Sequence, residues 1–144
     1  FGNVYGPRQN PHGEAGVVAI FSERLLDRAQ PVIYGHGEQT RDYVYVGDVV
    51  RAVVAGLDRE GSEIVNVGTG QETSVNDLFR TLNDITGGHA EERHAEAKPG
   101  EQQRSVLDVS HARDVLGWVP EVDLETGLRR TVEWFAERRN ASTN

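Results

Sequence analysis

A chain of 144 residues is long enough for one hydrophobic core. Its formal charge of −8 argues against a nucleic-acid partner, and the absence of cysteine excludes disulfides, iron–sulfur clusters and thiolate zinc sites. No apolar run approaches the roughly 18 residues of a membrane span, and no signal peptide is read, so the expectation is a cytoplasmic protein with no membrane partner.

Phe1–Tyr5 is a β-prone run stopped by Gly6-Pro7. It opens on phenylalanine with a strand already under way, which predicts that the N-terminus is a cut. Residues 8–16 form a polar loop rich in Gly, Pro, Asn and His. A helix is expected over 17–29, because Val17, Val18, Phe21, Leu25 and Ala29 recur at helical spacing. A short strand follows at Pro31–Tyr34.

The stretch Gly35–Val50 organises the centre of the chain. A glycine turn, Gly35-His36-Gly37, leads through Arg41 and Asp42 into a strand at Tyr43–Val46. Asp48 is the expected N-cap of a helix whose face is Val49, Val50, Val53, Val54 and Leu57. Arg41 has two readings. It presents a permanently charged fork to a phosphate or carboxylate, or it pairs locally with Asp42 or Glu38.

Asp58–Ser62 reads as a turn and Glu63–Val67 as a strand ended by Gly68-Thr69-Gly70. Thr73 or Ser74 caps a helix through Ile85, stopped by Gly87-Gly88. The strand–GTG–helix unit imitates a dinucleotide fingerprint, but the third glycine of G-x-G-x-x-G is replaced by Thr73. The reading preferred here is a tight strand-to-helix turn. Residues 89–96 are dense in His and Glu, which marks a solvated loop or edge strand before it marks a metal site. Residues 103–109 read as extended. Ser110 is the expected cap of a short helix ending at Leu116-Gly117, and Asp123 that of a last helix with Leu124, Leu128, Val132 and Phe135 as its buried stripe. Residues 140–144 are expected to fray.

Gln39-Thr40-Arg41-Asp42-Tyr43-Val44-Tyr45-Val46 resembles a signature of the NAD-dependent nucleotide-sugar epimerase/dehydratase family, the extended short-chain dehydrogenases, with the UDP-glucose 4-epimerase-like members nearest. Asn3-Val4-Tyr5-Gly6-Pro7-Arg8-Gln9, Asn66-Val67-Gly68-Thr69-Gly70 and Leu116-Gly117-Trp118 agree in the same order. The resemblance covers all 144 residues and only the C-terminal part of the family's chain. It implies an α/β fold, with strands belonging to a Rossmann-type sheet plus a small α/β substrate domain. Residues 1–144 would be one substrate-binding domain, with the N-terminal NAD-binding Rossmann domain absent. The family's role for each matching position follows. Asn3 faces the ligand's phosphates, the helix start at Val17 lies beside the nucleotide, and Tyr34 neighbours the base. Arg41 forms a diphosphate clamp with Lys98 or Arg104. Lys98 stands where the family has arginine, which keeps the charge and loses the bidentate fork.

Enzymes of this family oxidise a sugar hydroxyl with NAD and a Tyr-x-x-x-Lys dyad. Lys98 is the only lysine here and the residue four before it is His94, so the dyad is absent and no catalytic residue is assigned. The isolated chain is expected to turn over no substrate and to bind no NAD by itself. NAD, the nucleotide sugar and an N-terminal NAD-binding domain are the implied cofactor and partners of the complete enzyme. Homo-oligomerisation is a further expectation, because strands removed from their sheet leave exposed edges. Three readings of the activity are open: the substrate domain of a UDP-glucose/UDP-galactose 4-epimerase, that of a 4,6-dehydratase, or a stand-alone binding or interaction module.

Overall fold

The computed structural model describes residues 1–12, 16–57 and 59–142. Residues 13–15, 58 and 143–144, which belong to the loop, the turn and the frayed end expected above, lie outside the described residues. The elements in chain order are β1 (Asn3–Tyr5), α1 (Val17–Leu26), β2 (Ile33–Tyr34), β3 (Thr40–Arg41), β4 (Tyr43–Tyr45), α2 (Val46–Leu57), β5 (Thr73–Ser74), α3 (Val75–Ile85), β6 (His94–Ala95), α4 (Ser110–Leu116) and α5 (Leu124–Ser142).

The strands pair in twos. β1 runs parallel to β4 in the register Asn3–Tyr43, Val4–Val44, Tyr5–Tyr45. A parallel pair needs a long crossover, and here the connection from Gly6 to Asp42 carries α1 and the glycine turn. β2 pairs in parallel with β6, and β3 pairs antiparallel with β5. Thr40 also bridges to Arg104, so the extended segment after residue 102 lies beside β3.

Two cores follow from this arrangement. In the larger, α1, α3 and α5 pack together through Val18, Phe21, Leu25, Leu78, Phe79, Leu82, Leu128 and Val132, with Tyr5, Ile33 and Tyr43 beneath them. Phe21 meets Phe79 edge to face at 6.0 Å, the geometry that aromatic quadrupoles favour. In the smaller, Val44, Val49, Ala52, Val67, Ala112 and Trp118 close β4 and α2 against α4. The cap of α3 is Ser74, whose Oγ accepts from the Asp77 amide at 3.0 Å and donates to the Asp77 carboxylate at 2.7 Å. α5 starts as expected at Asp123, whose carboxylate accepts from the Thr126 amide at 2.9 Å. It runs through to Ser142, so Asn140–Ser142 is helix rather than a frayed end.

Several expectations are corrected. α1 ends at Leu26 rather than Ala29, because Arg28 takes a left-handed φ of 53°. The strand before the glycine turn is only Ile33–Tyr34. Val46 opens α2 instead of closing the strand before it. Glu63–Val67 is no strand: Val67 accepts one bond from the Gly2 amide, at 2.8 Å, and Ile64 is 93% exposed. One ladder bond does not hold a strand. Ser110 does not cap α4. Val109 holds that position, and the Ser110 amide is bound by the Asp108 side chain at 2.9 Å. Of the apolar face of α2, only Val49 is buried; Val50, Val53, Val54 and Leu57 are more than half exposed.

Asp48 is the most consequential correction. It lies in the first turn of α2 and is buried, but it does not cap that helix by its side chain. Its carboxylate accepts from the Glu121 and Val122 amides at 3.1 and 3.0 Å and from Arg51 Nη2 at 2.8 Å. Its carbonyl accepts from the Trp118 indole at 2.9 Å. Asp48 thus ties α2 to the linker between α4 and α5. Replacing it leaves those amides without their acceptor. Asp48→Ala is expected to cost about 3 kcal/mol, read as a lowered midpoint of urea unfolding, while the exposed change Val50→Ala shifts it by less than about 0.5 kcal/mol.

Candidate functional site

A cavity of about 400 Å³ opens between the start of α1, β2, β3 and the turn at residues 98–101. Asn3, Val17, Tyr34, Arg41 and Lys98 all line it, together with Gln39, Tyr43 and Glu101. Five of the six residues singled out in the sequence therefore share one concave surface. The sixth does not. Arg104 is exposed and forks onto Glu72, with bonds of 2.8 and 2.6 Å. That fork and a bond from Thr40 hold the Glu72 carboxyl down to about 2. Arg104 fastens the segment of residues 103–107 to the loop before β5.

Each wall has a local cause. The tight turn ahead of β3 uses Gly35 and Gly37, both at left-handed φ near 70°. A side chain at Gly37 would run into Asn76, whose amide nitrogen holds the His36 carbonyl at 2.9 Å and Glu38 at 2.8 Å. This turn places Tyr34 and Gln39 on one side of the cavity. The buried Gln39 amide donates to the Tyr34 carbonyl at 3.0 Å and to Glu101 at 3.4 Å. Gly16 stands at the head of α1, so backbone amides rather than a capping side chain face the opening there.

The charge of the site is opposite to that of the chain. Two cations, Arg41 and Lys98, face a single acid, Glu101, among the described lining residues. Of the two readings of Arg41, the local pairing is not the one found: neither Asp42 nor Glu38 pairs with it. Its Nη1 donates to the Thr40 carbonyl at 2.8 Å, and its Nη2 stands 3.7 Å from Glu101. The Lys98 ammonium lies 4.4 Å from the centre of the Tyr34 ring, a cation–π contact that carries the charge to the mouth of the cavity. Burial pushes the Tyr43 phenol up to about 12 against the pull of Arg41. At neutral pH Tyr43 is therefore a neutral donor and not a base, and its hydroxyl has no hydrogen-bond partner among the described residues.

Gln39, Tyr43 and Glu101 were missed as site residues. The first two stand inside the stretch that carries the family resemblance, and Glu101 is three residues beyond Lys98 on the same turn, so proximity in sequence was the available signal. A larger cavity of about 660 Å³ lies away from this one, between residues 8–12 and the second half of α5.

The Gly68–Gly70 loop does not fit a dinucleotide phosphate. The amides of Thr69 and Gly70 and the Thr69 hydroxyl, the donors such a phosphate would need, already hold the Asp42 carboxylate, at 2.7, 3.0 and 2.6 Å. Nor is the loop a strand-to-helix turn, since no strand precedes it and β5 follows it.

A family model described as GDP-mannose 4,6-dehydratase matches residues 1–131. A putative UDP-glucose 4-epimerase of Methanocaldococcus jannaschii is 48% identical over 135 residues, and a UDP-glucose 4-epimerase of Mycolicibacterium smegmatis is 50% identical over 137. Each match covers 94% of this chain and 44% of the relative. The crystal structure of UDP-glucose 4-epimerase with UDP-glucose from Thermotoga maritima superposes with a TM-score of 0.93 at 49% identity, over 96% of this chain and 45% of that one. The chain thus spans about half the length of the curated relatives it matches. Its fold is that of the corresponding part of an extended short-chain dehydrogenase. On the extent of these matches, this chain belongs to the NAD-dependent nucleotide-sugar epimerase and dehydratase family.

Proposed function

We propose that residues 1–144 form the substrate-binding part of an NAD-dependent nucleotide-sugar 4-epimerase that acts on a UDP-glucose- or UDP-galactose-type substrate. The observation that carries this reading is the convergence of Arg41, Lys98, Tyr34, Asn3 and the head of α1 on one cavity in a protein of charge −8. A nucleoside diphosphate is a planar base joined to a compact anion. Tyr34 offers the base a ring, and Arg41 with Lys98 and the amides at the head of α1 offer the anion fixed positive charge. Asn3 adds a neutral amide to the lining. Binding energy gathered on the diphosphate then holds the sugar in place for reaction. UDP-glucose in the Thermotoga maritima structure favours a uridine sugar. The family model's description favours a second reading, the substrate domain of a 4,6-dehydratase.

The cofactor of the complete enzyme is NAD, which when bound would supply the hydride acceptor for oxidation of a sugar carbinol. This chain supplies neither the dyad nor a fitting phosphate loop, so its share of the work is binding and orientation. The partner that supplies the rest is, in this reading, an N-terminal NAD-binding domain. Its seat is the outer face of α2, where Val50, Val53, Val54 and Leu57 form an exposed apolar stripe that a soluble surface does not normally present. The relatives' additional length is the natural cover for it.

Titration calorimetry with UDP tests the site. Arg41→Ala is expected to weaken binding by about tenfold or more, Lys98→Ala by several-fold, and Arg104→Ala by less than about twofold. Failure of the parent chain to bind UDP would sink the reading. Equal losses for Arg41→Ala and Arg104→Ala would relocate the anion. Sedimentation tests the α2 face. The chain alone is expected to self-associate above its 15.9 kDa mass at tens of micromolar, and Val54→Glu with Leu57→Glu to return it to monomer. A monomeric parent chain would remove the argument for a covered face.

A further inference from the structure

Asp42 follows Arg41 directly, and successive residues of an extended chain point to opposite faces. Arg41 turns into the cavity, while Asp42 turns away from it and is buried, 1% exposed. No cation pairs with Asp42 among the described residues. Its Oδ1 accepts from the Thr69 amide at 2.7 Å and the Thr69 hydroxyl at 2.6 Å, and its Oδ2 accepts from the Gly70 amide at 3.0 Å and the Leu107 amide at 3.3 Å. The surroundings are built for this carboxylate. A Cβ at Gly68 would lie 2.6 Å from Oδ2, and one at Gly2 would lie 2.8 Å from the Asp42 carbonyl. That carbonyl in turn accepts from the Asn3 amide at 2.7 Å.

The Leu107 bond has a second consequence. Thr40 exchanges backbone bonds with Gln103 and Ser105, at 2.9 and 3.1 Å, and the Asp42 carboxylate continues that ladder to Leu107. The segment so held begins at the turn that carries Lys98 and Glu101. The Asp42 side chain therefore joins the strand of Arg41 to the Gly68–Gly70 loop and to the segment that brings Lys98, while its backbone carbonyl holds the Asn3 amide.

We propose that Asp42 is a positioning residue for the anion site: by filling the Gly68–Gly70 loop with its own carboxylate it fixes Arg41 and Lys98 at the separation that a nucleoside diphosphate requires. This rests on the reading of the cavity given above. It also assigns a purpose to the dinucleotide-like glycine loop, which acts here as an internal receptor for a side chain instead of a cofactor.

A double-mutant cycle with UDP as the titrant separates positioning from general folding. Asp42→Asn is expected to weaken UDP binding by about tenfold in the parent chain and by less than about twofold when Arg41→Ala is already present. Val132→Ala, a core change on α5 away from the cavity, lowers the urea midpoint and leaves UDP affinity unchanged. Should Asp42→Asn fail to fold, Thr69→Val removes only the hydroxyl donor; it is expected to weaken binding by a few-fold, again only when Arg41 is present. Equal affinity of Asp42→Asn and the parent chain, or losses that add fully to that of Arg41→Ala, would overturn the inference while the site reading stands. A parent chain that does not bind UDP overturns the site reading and the inference with it.

Discussion

A buried carboxylate surrounded by neutral donors is the constraint on which the candidate site depends. Taking Asp42 out of water is costly unless its oxygens are fully engaged, and four donors from two distant segments engage them. Each donor comes from backbone or from Thr69, so the interaction demands the close approach of Gly68 and the left-handed turn at Gly70. A side chain at Gly68 would occupy the space of the carboxylate, and Gly70 is needed for its φ of 71°. What reads along the sequence as a phosphate loop is, in the fold, a clasp.

Asp48 is a second buried, amide-binding carboxylate at the other end of the central stretch, here with the Arg51 guanidinium among its donors. It binds the Glu121 and Val122 amides and holds the C-terminal helices against α2. Between the two aspartates runs β4, whose Val44 is fully buried and whose Tyr43 and Tyr45 pack with Tyr5 edge to face. The stretch is therefore anchored at both ends by carboxylates and in the middle by apolar contact. Arg41 sits on β3 directly before the first of these anchors, a rigid mount of the kind that makes a planar guanidinium selective for an oxyanion.

The two faces of the molecule have opposite characters. The cavity face gathers positive charge and polar groups against an acidic background, the field that the proposed anion site requires. The α2 face is apolar and open. Helix amphipathicity is clean in α3, where one side meets the core and the other meets water. α2 is instead apolar on two sides, with Val49 and Ala52 buried and Val50, Val53, Val54 and Leu57 exposed.

Much was legible in the sequence because it depends on local chemistry. The Ser74 and Asp123 caps, the buried stripe of α5, the glycine stop after α4 and the grouping of Asn3, Val17, Tyr34, Arg41 and Lys98 follow from spacing, from propensity and from family motifs that stay in order along the chain. What the tertiary structure decided were the partners at long range. Asp48 looks like a cap because aspartate before a valine-rich run usually is one, but its acceptors are claimed by amides more than seventy residues away. Arg41 and Arg104 are equivalent as residue types, and only the packing sends one into the cavity and the other onto Glu72. Residues 63–67 have the composition of a strand, yet a strand exists only where a neighbour pairs with it, and the neighbour is a property of the fold.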